Sequence, residues 1–464
     1  MKGLSSGLSW IFAIFCSLPL FFASTYRGYK LYRFEPNDAA LAYMDKLEAE
    51  ANRFTENDGR MPIIDIWSEA NVYRKSVDVL VAPEFARHFV AALRKRGVLQ
   101  IDLLKNDIQR DIDREKRRTI KRTRRSGHHN QLLTNSELES LTAEESARHN
   151  RVDFDLNSYN RYSKIVDYLQ NLVQSNPDTT QLLNITKTFE GRDLVGIKIA
   201  KLYSSKPTVF IDAGIHAREW IAPAVALYLI DRLVNNNSPE DHQITLLTDN
   251  FDFVIFPMAN PDGYEYSHTK DRFWRKTRSR NLTSSKWCVG ADGNRNWGYQ
   301  WGEAGANRSP CSNIYTGASP FSEQEMTGIR DYIATQISDL KVYISLHSYG
   351  QLFLSPWGYT EEKPHNYEDQ RMAAKLAVEA IKNSTGANYY YGTIAELMYP
   401  ASGTSIDYWQ AKGVPYIYGI ELRPEDLDDN YGFTIPAEWI APTGQEMLVA
   451  LKKIGEYVAV HKRI

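Results

Sequence analysis

The segment that most constrains this chain of 464 residues is Gly214–Trp220, with the sequence GIHAREW. An apolar run at 207–211 predicts a buried strand before it, and 221–230 predicts a helix after it. His216 and Glu219 therefore lie where a strand turns into a helix, and their i, i+3 spacing lets both side chains point to one side of a helical turn. An imidazole and a carboxylate are two zinc ligands, and a catalytic zinc takes three protein ligands and one open position.

The His-x-x-Glu spacing alone is a weak indication of a metal site, because it occurs often by chance in a chain of this length. The alternative is a capped helix start with an exposed ion pair. Among the ten histidines, His347 ends a second strand-like run at 341–346. Ligands of an α/β sheet bind in the crevice at the carboxyl ends of its strands, so His347 is the candidate third ligand.

Residues 151–464 alternate strand-like and helix-like segments, which predicts an α/β domain. The predicted strands are 193–199, 207–212, 252–257, 341–346 and 415–420, and the predicted helices are about 158–174, 221–234, 322–337, 367–384 and 437–459. An α/β domain without a site would leave the polar motifs that follow the strand ends unexplained.

The N-terminus has the pattern of a secretory signal peptide over residues 1–25, with Lys2 before an apolar core at 8–23 and cleavage expected before Tyr26. The alternative is an uncleaved membrane anchor, but the core is shorter than the roughly 20 residues that span a bilayer, and Pro19 interrupts it. We expect a secreted, extracellular protein with no stable membrane anchor. A net charge of −2 gives no argument for nucleic-acid binding.

Residues 26–105 predict a small α+β domain with an antiparallel sheet. The predicted strands are 29–34, 63–67, 76–81 and 98–103, and the predicted helices are 38–49, capped by Asn37, and 83–96, which begins with Pro. An accessory binding domain is an alternative to a pro-domain.

A charged, helix-like segment at 106–125 follows and ends in the sequence RTRR. Such a run could be a nucleic-acid patch or a solvated helix face, but between two domains of a secreted chain it favours a processing protease that cuts after Arg125. Residues 126–150 are polar and without period, which predicts a leader of the mature chain.

Six motifs together resemble the zinc metallocarboxypeptidases of the carboxypeptidase A/B family. They are GIHAREW at 214–220, FWRKTR at 273–278, NRNW at 294–297, HSY at 347–349, ASGTSID at 401–407 and IELR at 420–423. They occur in the family's order across about 155–460, and the N-terminal domain resembles the family's inhibitory pro-domain. The resemblance implies an α/β fold with a mixed central sheet flanked by helices, preceded by a small α+β antiparallel pro-domain.

The resemblance also implies one zinc ion held by His216, Glu219 and His347, which keeps a position for water and lowers the pKa of that water. Glu421 would accept the proton and pass it to the leaving amine. By itself, Glu421 is better interpreted as an ion pair with Arg423. In the family, the residue that matches Arg275 stabilises the oxyanion, and the one that matches Asp292 orients a zinc histidine. Asn294 and Arg295 match the residues that recognise the C-terminal carboxylate, and Tyr399 matches the tyrosine that closes over the substrate. Further substrate contacts are implied for Arg218, Arg272, Tyr349 and Phe433.

Specificity is implied by Ile406, which stands where relatives that remove Lys and Arg carry an acidic residue. An apolar pocket floor favours aromatic or aliphatic C-terminal side chains, because burial of an unpaired cation is costly. Gly419 leaves room for bulky aromatics, and Asp407 is expected to point away from the pocket. The acidic stretch at 424–430 is a departure from the family pattern.

Three cysteines occur, and Cys16 leaves with the signal peptide. Cys288 and Cys311 then form an even pair in an oxidising compartment, so a disulfide is the default interpretation. Five Asn-x-Ser/Thr sequences, at 184, 236, 281, 307 and 383, predict a glycoprotein.

Together these features predict a secreted zymogen that hydrolyses the C-terminal bond of peptides or proteins. One alternative is a secreted, catalytically silent binding protein, although such proteins usually lose a ligand, the base or the carboxylate-binding arginine. The other is a zinc hydrolase of a different class, such as an amidase or deglutamylase.

Overall fold

A computed structural model of the chain describes residues 25–51, 61–68, 70, 75–117, 154–201, 203–235, 242–425 and 431–461. The predicted signal peptide up to residue 24, the processing site at 122–125, the polar leader at 126–150, the glycan sequence at Asn236 and most of the acidic stretch at 424–430 lie outside the described residues. We call 25–117 the N-terminal unit and 154–461 the C-terminal unit.

The N-terminal unit contains a four-stranded antiparallel sheet with the strand order β2-β3-β1-β4. Its elements are β1 (Lys30–Phe34), α1 (Asp38–Ala51), β2 (Ile64–Ser68), β3 (Val77–Val81), α2 (Ala86–Lys95) and β4 (Asp102–Lys105), and residues 109–117 are also helical. Asn37 caps α1, because its Oδ1 accepts a hydrogen bond from the backbone N–H of Ala40 at 3.0 Å. The predicted α+β architecture is confirmed.

The predicted strand at 98–103 was wrong over most of its length. The chain leaves α2 through Gly97 at a φ of +88°, and the Val98 N–H donates to the Leu93 carbonyl at 3.2 Å. Val98 therefore completes the end of the helix, and pairing with β1 begins only at Asp102.

The C-terminal unit is built on an eight-stranded mixed sheet with the order β11-β10-β12-β9-β7-β8-β6-β5. The strands are β5 (Thr180–Lys187), β6 (Asp193–Ile199), β7 (Thr208–Ala213), β8 (Asp252–Phe256), β9 (Leu340–Ser348), β10 (Leu352–Ser355), β11 (Tyr390–Thr393) and β12 (Tyr416–Leu422). The central strands β12, β9, β7 and β8 are parallel. The predicted mixed central sheet is confirmed, although β5, β10 and β11 were not predicted.

Helices cover both faces of this sheet. They are α3 (Tyr162–Ser175), α4 (Ile221–Val234), α5 (His242–Asn250), α6 (Pro261–Thr269), α7 (Gln324–Gln336), α8 (Tyr367–Thr385), α9 (Ile394–Leu397), α10 (Ser405–Ala411) and α11 (Ile440–His461). Val209 and Ile211 of β7 pack in an apolar cluster with α3, α4, α8 and α11 on one face of the sheet. Phe210 packs in a second apolar cluster with α7 and α10 on the opposite face. This alternation is the period of a strand buried on both faces.

The parallel centre of the sheet brings the carboxyl ends of β7, β9 and β12 to one edge. A crevice at that edge is where α/β sheets bind ligands. No helix within the described ranges is long and apolar enough to cross a membrane.

Candidate metal centre and substrate cleft

The candidate metal centre lies where β7 gives way to α4. His216 and Glu219 occupy the turn between these elements, and His347 is the second-last residue of β9. Glu219 Oε1 lies 2.7 Å from His216 Nδ1, and Glu219 Oε2 lies 3.1 Å from His347 Nδ1. All three side chains are buried, and one ligand atom from each falls within 4.8 Å of the others.

These three residues fit a zinc ion. The Nδ1 atoms of His216 and His347 lie 3.2 Å apart and both face the Glu219 carboxylate. Two imidazole nitrogens at this distance repel each other when both carry lone pairs, so a cation between them removes an unfavourable contact. Two imidazoles and one carboxylate are also a recognised donor set of catalytic zinc sites, which leave the fourth position open.

The electrostatics of the centre favour ionised carboxylates. Burial alone would raise the pKa of Glu219, but His216 and His347 outweigh it and hold the pKa well below its usual value. Asp292 is completely buried, and there Arg275 and His216 overcome the effect of burial on the carboxyl, so its pKa is also low. The site therefore keeps negative charge at the position where a divalent cation would bind.

Asp292 links the metal centre to Arg275. Its Oδ1 lies 3.1 Å from His216 Nε2, and its Oδ2 accepts from Arg275 Nη2 at 2.9 Å and Nε at 3.1 Å. Arg275 Nη1 lies 4.0 Å from Glu219 Oε1. Burial would lower the pKa of Arg275, but Asp292 and Glu219 raise it, so the guanidinium stays charged beside the centre.

Glu421 lies on β12, directly beside the third ligand. In the parallel pairing of β12 with β9, Glu421 is the register partner of His347. Its side chain is partly exposed and lines the same cleft as the three candidate ligands. A carboxylate at this position can exchange protons with a molecule bound in the cleft.

Asn294 and Arg295 belong to a short 3-10 turn, Gly293–Arg295, that starts at Asp292. The Arg295 guanidinium is fixed by the carbonyls of Gly305 at 2.7 Å and Asn294 at 2.9 Å. The disulfide between Cys288 and Cys311 encloses this turn. Both side chains line the cleft, as does Tyr399.

Several residues that line the cleft are apolar or lack a side chain, among them Leu354, Met398, Ile406 and Gly419. A Cβ placed on Gly419 would meet Ile406 Cγ1 at 3.6 Å and Leu354 Cβ at 3.9 Å, so these three residues lie together. Asp407 points away from the cleft, because its carboxylate accepts from the backbone N–H groups of Gly358 at 2.7 Å and Tyr359 at 2.9 Å.

The N-terminal unit covers the open side of the cleft. Arg218 Nη1 donates to both carboxylate oxygens of Asp65 at 2.8 and 2.9 Å, and Arg272 donates to the Glu115 carboxylate at 2.8 and 3.1 Å. The ring of Trp67 meets that of Phe433 at 5.3 Å. The covered cavity measures about 120 Å³, which is below the roughly 300 Å³ of ordinary ligand pockets.

The structure thus brings all the sequence-predicted site residues to one cleft or to its covered rim. Tyr349 lies at that rim, with its hydroxyl 3.4 Å from Asp78 Oδ2 of the N-terminal unit. Sequence reasoning missed Asp65 and Glu115, because nothing in the local pattern around either carboxylate marks it as the partner of a distant arginine. It also missed Ser345, although a period-two reading of β9 places Ser345 on the same face as His347.

Comparisons with known proteins extend over both units. A family profile described as zinc carboxypeptidase matches residues 165–450, and one described as carboxypeptidase activation peptide matches residues 46–115. The chain is 41% identical over 305 residues to carboxypeptidase B of Astacus astacus, covering 66% of this chain and 98% of the relative. It is 34% identical over 398 residues to carboxypeptidase A2 of Mus musculus, covering 86% and 88%. The crystal structure of carboxypeptidase A from Helicoverpa armigera matches with a TM-score of 0.76 at 27% identity, over 95% of this chain and 99% of that chain.

Proposed function

Because the chain belongs to the zinc carboxypeptidase family, we propose that it is a secreted exopeptidase that removes aromatic or aliphatic residues from the C-termini of peptides and proteins. The observation that carries this proposal is the buried group of His216, Glu219 and His347 at a cleft that Ile406 also lines. Bound zinc would be held by those three side chains, and it supplies a Lewis acid that polarises the substrate carbonyl and lowers the pKa of water.

Glu421 is proposed as the general base and then the general acid. Its position beside His347, with the side chain open to the cleft, supports this role, in which the carboxylate takes a proton from the attacking water and returns it to the leaving amine. Hydrolysis of an amide needs both transfers, because the amine leaves as a neutral group only after its nitrogen is protonated.

Arg275 is proposed to stabilise the negative charge that develops on the carbonyl oxygen. Asp292 holds its guanidinium in place before any substrate binds, so little reorganisation is needed during the reaction. Only 12% of the Arg275 side chain is exposed, and a charge in such a shielded place acts more strongly than one in water.

Exopeptidase specificity requires recognition of the free C-terminal carboxylate. We assign this to Arg295, whose planar guanidinium can bind a carboxylate through two hydrogen bonds, and to the amide of Asn294. Tyr399, partly exposed at the cleft wall, is assigned the closing contact over the bound residue.

The preference for apolar C-terminal residues rests on Ile406 and on the orientation of its neighbour. The relatives include proteins named as A and as B carboxypeptidases, so the family alone leaves the preference open. Asp407 could serve a Lys or Arg side chain only by giving up two backbone hydrogen bonds. A cation buried against Ile406 would have no partner and would bind poorly.

The N-terminal unit is proposed to be a pro-segment. Its Asp65 and Glu115 pair with Arg218 and Arg272, and it also covers Tyr349 and Phe433. The N-terminal unit thus contacts all four residues of the C-terminal unit that are assigned to further substrate contacts. We propose removal of residues 1–25 on secretion, a pro-domain at 26–105, a connecting helix at 106–125 that a protease cuts after Arg125, a leader at 126–150 and a catalytic domain at 151–464.

The test is release of C-terminal amino acids from a matched peptide panel by the processed protein, with and without a zinc chelator. We expect chelator-sensitive release of Phe, Tyr, Leu or Ile, which Glu421→Gln abolishes and which the exposed control Glu361→Gln leaves unchanged. Ile406→Asp should shift the preference toward Lys and Arg.

Faster release of Lys or Arg by the unaltered protein would contradict the proposed pocket. No release from any peptide, with zinc bound and the N-terminal unit removed, would favour the catalytically silent binding protein instead.

A further inference from the structure

His347 contacts a buried hydroxyl that is itself bound to a buried carboxylate, and the reaction proposed above uses neither group. Ser345 and His347 are two residues apart on β9, so both side chains lie on one face of the sheet. Asp212 on β7 is the register partner of Ser345. Exposure of Asp212 is 1% and that of Ser345 is 0%, so solvent does not replace these contacts.

The direction of these hydrogen bonds follows from the number of protons available. Asp212 Oδ1 accepts from the Ser345 hydroxyl at 2.7 Å, and Asp212 Oδ2 accepts from the Tyr343 hydroxyl. A serine hydroxyl has one proton, and here it points to the carboxylate. The Ser345 oxygen, 3.0 Å from His347 Nε2, is then left to accept a proton rather than to donate one.

We infer that Asp212, acting through Ser345, fixes the tautomer and the ring orientation of His347. The proton is held on Nε2, and the lone pair is left on Nδ1, the atom that faces Glu219 at 3.1 Å and His216 Nδ1 at 3.2 Å. Asp212 and Ser345 are therefore positioning residues for the third ligand. This inference rests on the proposed zinc site.

His216 has a similar arrangement in which no hydroxyl stands between the histidine and its carboxylate. His216 Nε2 meets the Asp292 carboxylate directly at 3.1 Å, and His347 Nε2 reaches a carboxylate through one hydroxyl. If Asp212 were absent, the Ser345 hydroxyl would be free to donate to Nε2, and that bond favours the tautomer with its proton on Nδ1. A proton on Nδ1 competes directly with a metal at the same atom.

The position of Asp212 supports this role over a purely structural one. A buried carboxylate is costly unless its partners repay the loss of water, and both of its hydrogen-bond partners are hydroxyl groups rather than cations. Tyr343 offers a matched control, because its hydroxyl bonds the same carboxylate and is not among the hydrogen-bond partners described for His347, which are Ser345, His216 and Glu219. Its loss should weaken packing around Asp212 without changing the bond between Ser345 and the histidine.

The test is the rate at which zinc passes from the full-length protein to a chromophoric chelator, measured together with the melting temperature. Removal of groups that orient a metal ligand typically weakens metal binding by about 10- to 100-fold. We expect Ser345→Ala and Asp212→Ala each to release zinc about tenfold faster or more. The double variant should be no faster than the faster single variant, because both changes break one linked chain.

Tyr343→Phe should lower the melting temperature while its zinc release stays within about twofold of the unaltered protein. Nitrogen NMR of the unaltered protein should show the His347 proton on Nε2. The inference is overturned if Ser345→Ala releases zinc at the unaltered rate, or if Tyr343→Phe accelerates release as much as Asp212→Ala. Failure of the unaltered protein to bind zinc would overturn the proposed function as well, so the two failures can be told apart.

Discussion

Asp65→Asn is expected to release the cleft of the uncleaved chain. Asp65 and Arg218 are 3% and 2% exposed, and two hydrogen bonds of 2.8 and 2.9 Å join them. Asn keeps the shape of the side chain but removes its charge. Loss of one partner from such a buried pair costs about 3 kcal/mol, because the other charge stays buried and uncompensated.

The cost falls only on the covered state, because Arg218 regains water when the N-terminal unit lifts away. About 3 kcal/mol corresponds to a change of about 100-fold in the ratio of open to covered chains. The peptidase activity of the uncleaved variant should therefore rise by about 100-fold over that of the uncleaved, unaltered chain, up to the activity of the processed enzyme. Glu115→Gln should act in the same direction, because Glu115 holds Arg272 in the same way.

The assay is hydrolysis of a short peptide by the intact zinc-loaded chain, protected from processing by substitution of Arg125. Asp102→Asn is the matched control, since Asp102 is exposed and its side chain accepts hydrogen bonds from Gln100 of the same unit. In parallel versions that keep Arg125, protein processed after that residue must show unaltered activity, because the substituted position 65, 102 or 115 has been removed with the N-terminal unit. Equal activity of uncleaved Asp65→Asn and unaltered chains would refute the reasoning.

Three further predictions concern pH, a glycine and the disulfide. Burial raises the pKa of Glu48 and of Asp271 to about 6 where the two units meet, so the covered form binds more protons than the separated units. Each group weakens binding by somewhat under tenfold between pH 5 and pH 7, so the dissociation constant of the cleaved N-terminal unit should rise by roughly 70-fold over this range and then level off. A dissociation constant that falls over this range contradicts the assignment. Gly305→Ala should lower the free energy of unfolding by about 3 kcal/mol in denaturant, because the new Cβ would lie 1.6 Å from the Pro400 carbonyl oxygen. Gly386 is also at positive φ but has nothing within 4 Å of its Cβ position, so Gly386→Ala should cost about 1 kcal/mol. Equal losses would show that the backbone conformation alone matters. Replacement of both disulfide cysteines by serine should lower stability by about 3 kcal/mol in the same assay, and an unchanged midpoint would show that the bridge, which spans 23 residues, adds nothing.

The sequence indicates the metal centre because the centre is built from local patterns. His216 and Glu219 share one turn. The apolar strand before this turn and the largely apolar helix after it fix where it lies. Neighbouring parallel strands then carry His347 and Glu421 to the same edge of the sheet, where the two residues are register partners. The sequence alone does not single out Glu421, whose role came from the family resemblance.

The missed features depend on pairings between distant parts of the chain. The contact between Asp65 and Arg218 joins residues 153 positions apart, and no periodicity links them. Strands β10 and β11 have only four residues each, which is too short for a hydrophobic pattern to separate them from loop. The predicted strand at 98–103 was wrong for a related reason, because the backbone N–H of Val98 bonds the Leu93 carbonyl at the end of α2 and is not available to pair with β1.

The four arginines assigned to the site divide into two pairs according to which unit holds them. Arg275 and Arg295 are held by groups of the C-terminal unit, namely Asp292 and the Gly305 carbonyl. Arg218 and Arg272 donate to carboxylates of the N-terminal unit. Removal of that unit therefore leaves the partners of Arg275 and Arg295 in place and takes away the carboxylate partners of Arg218 and Arg272. Activation on this arrangement requires uncovering of a centre that is already built, so the zinc affinity of the full-length chain should equal that of the processed enzyme.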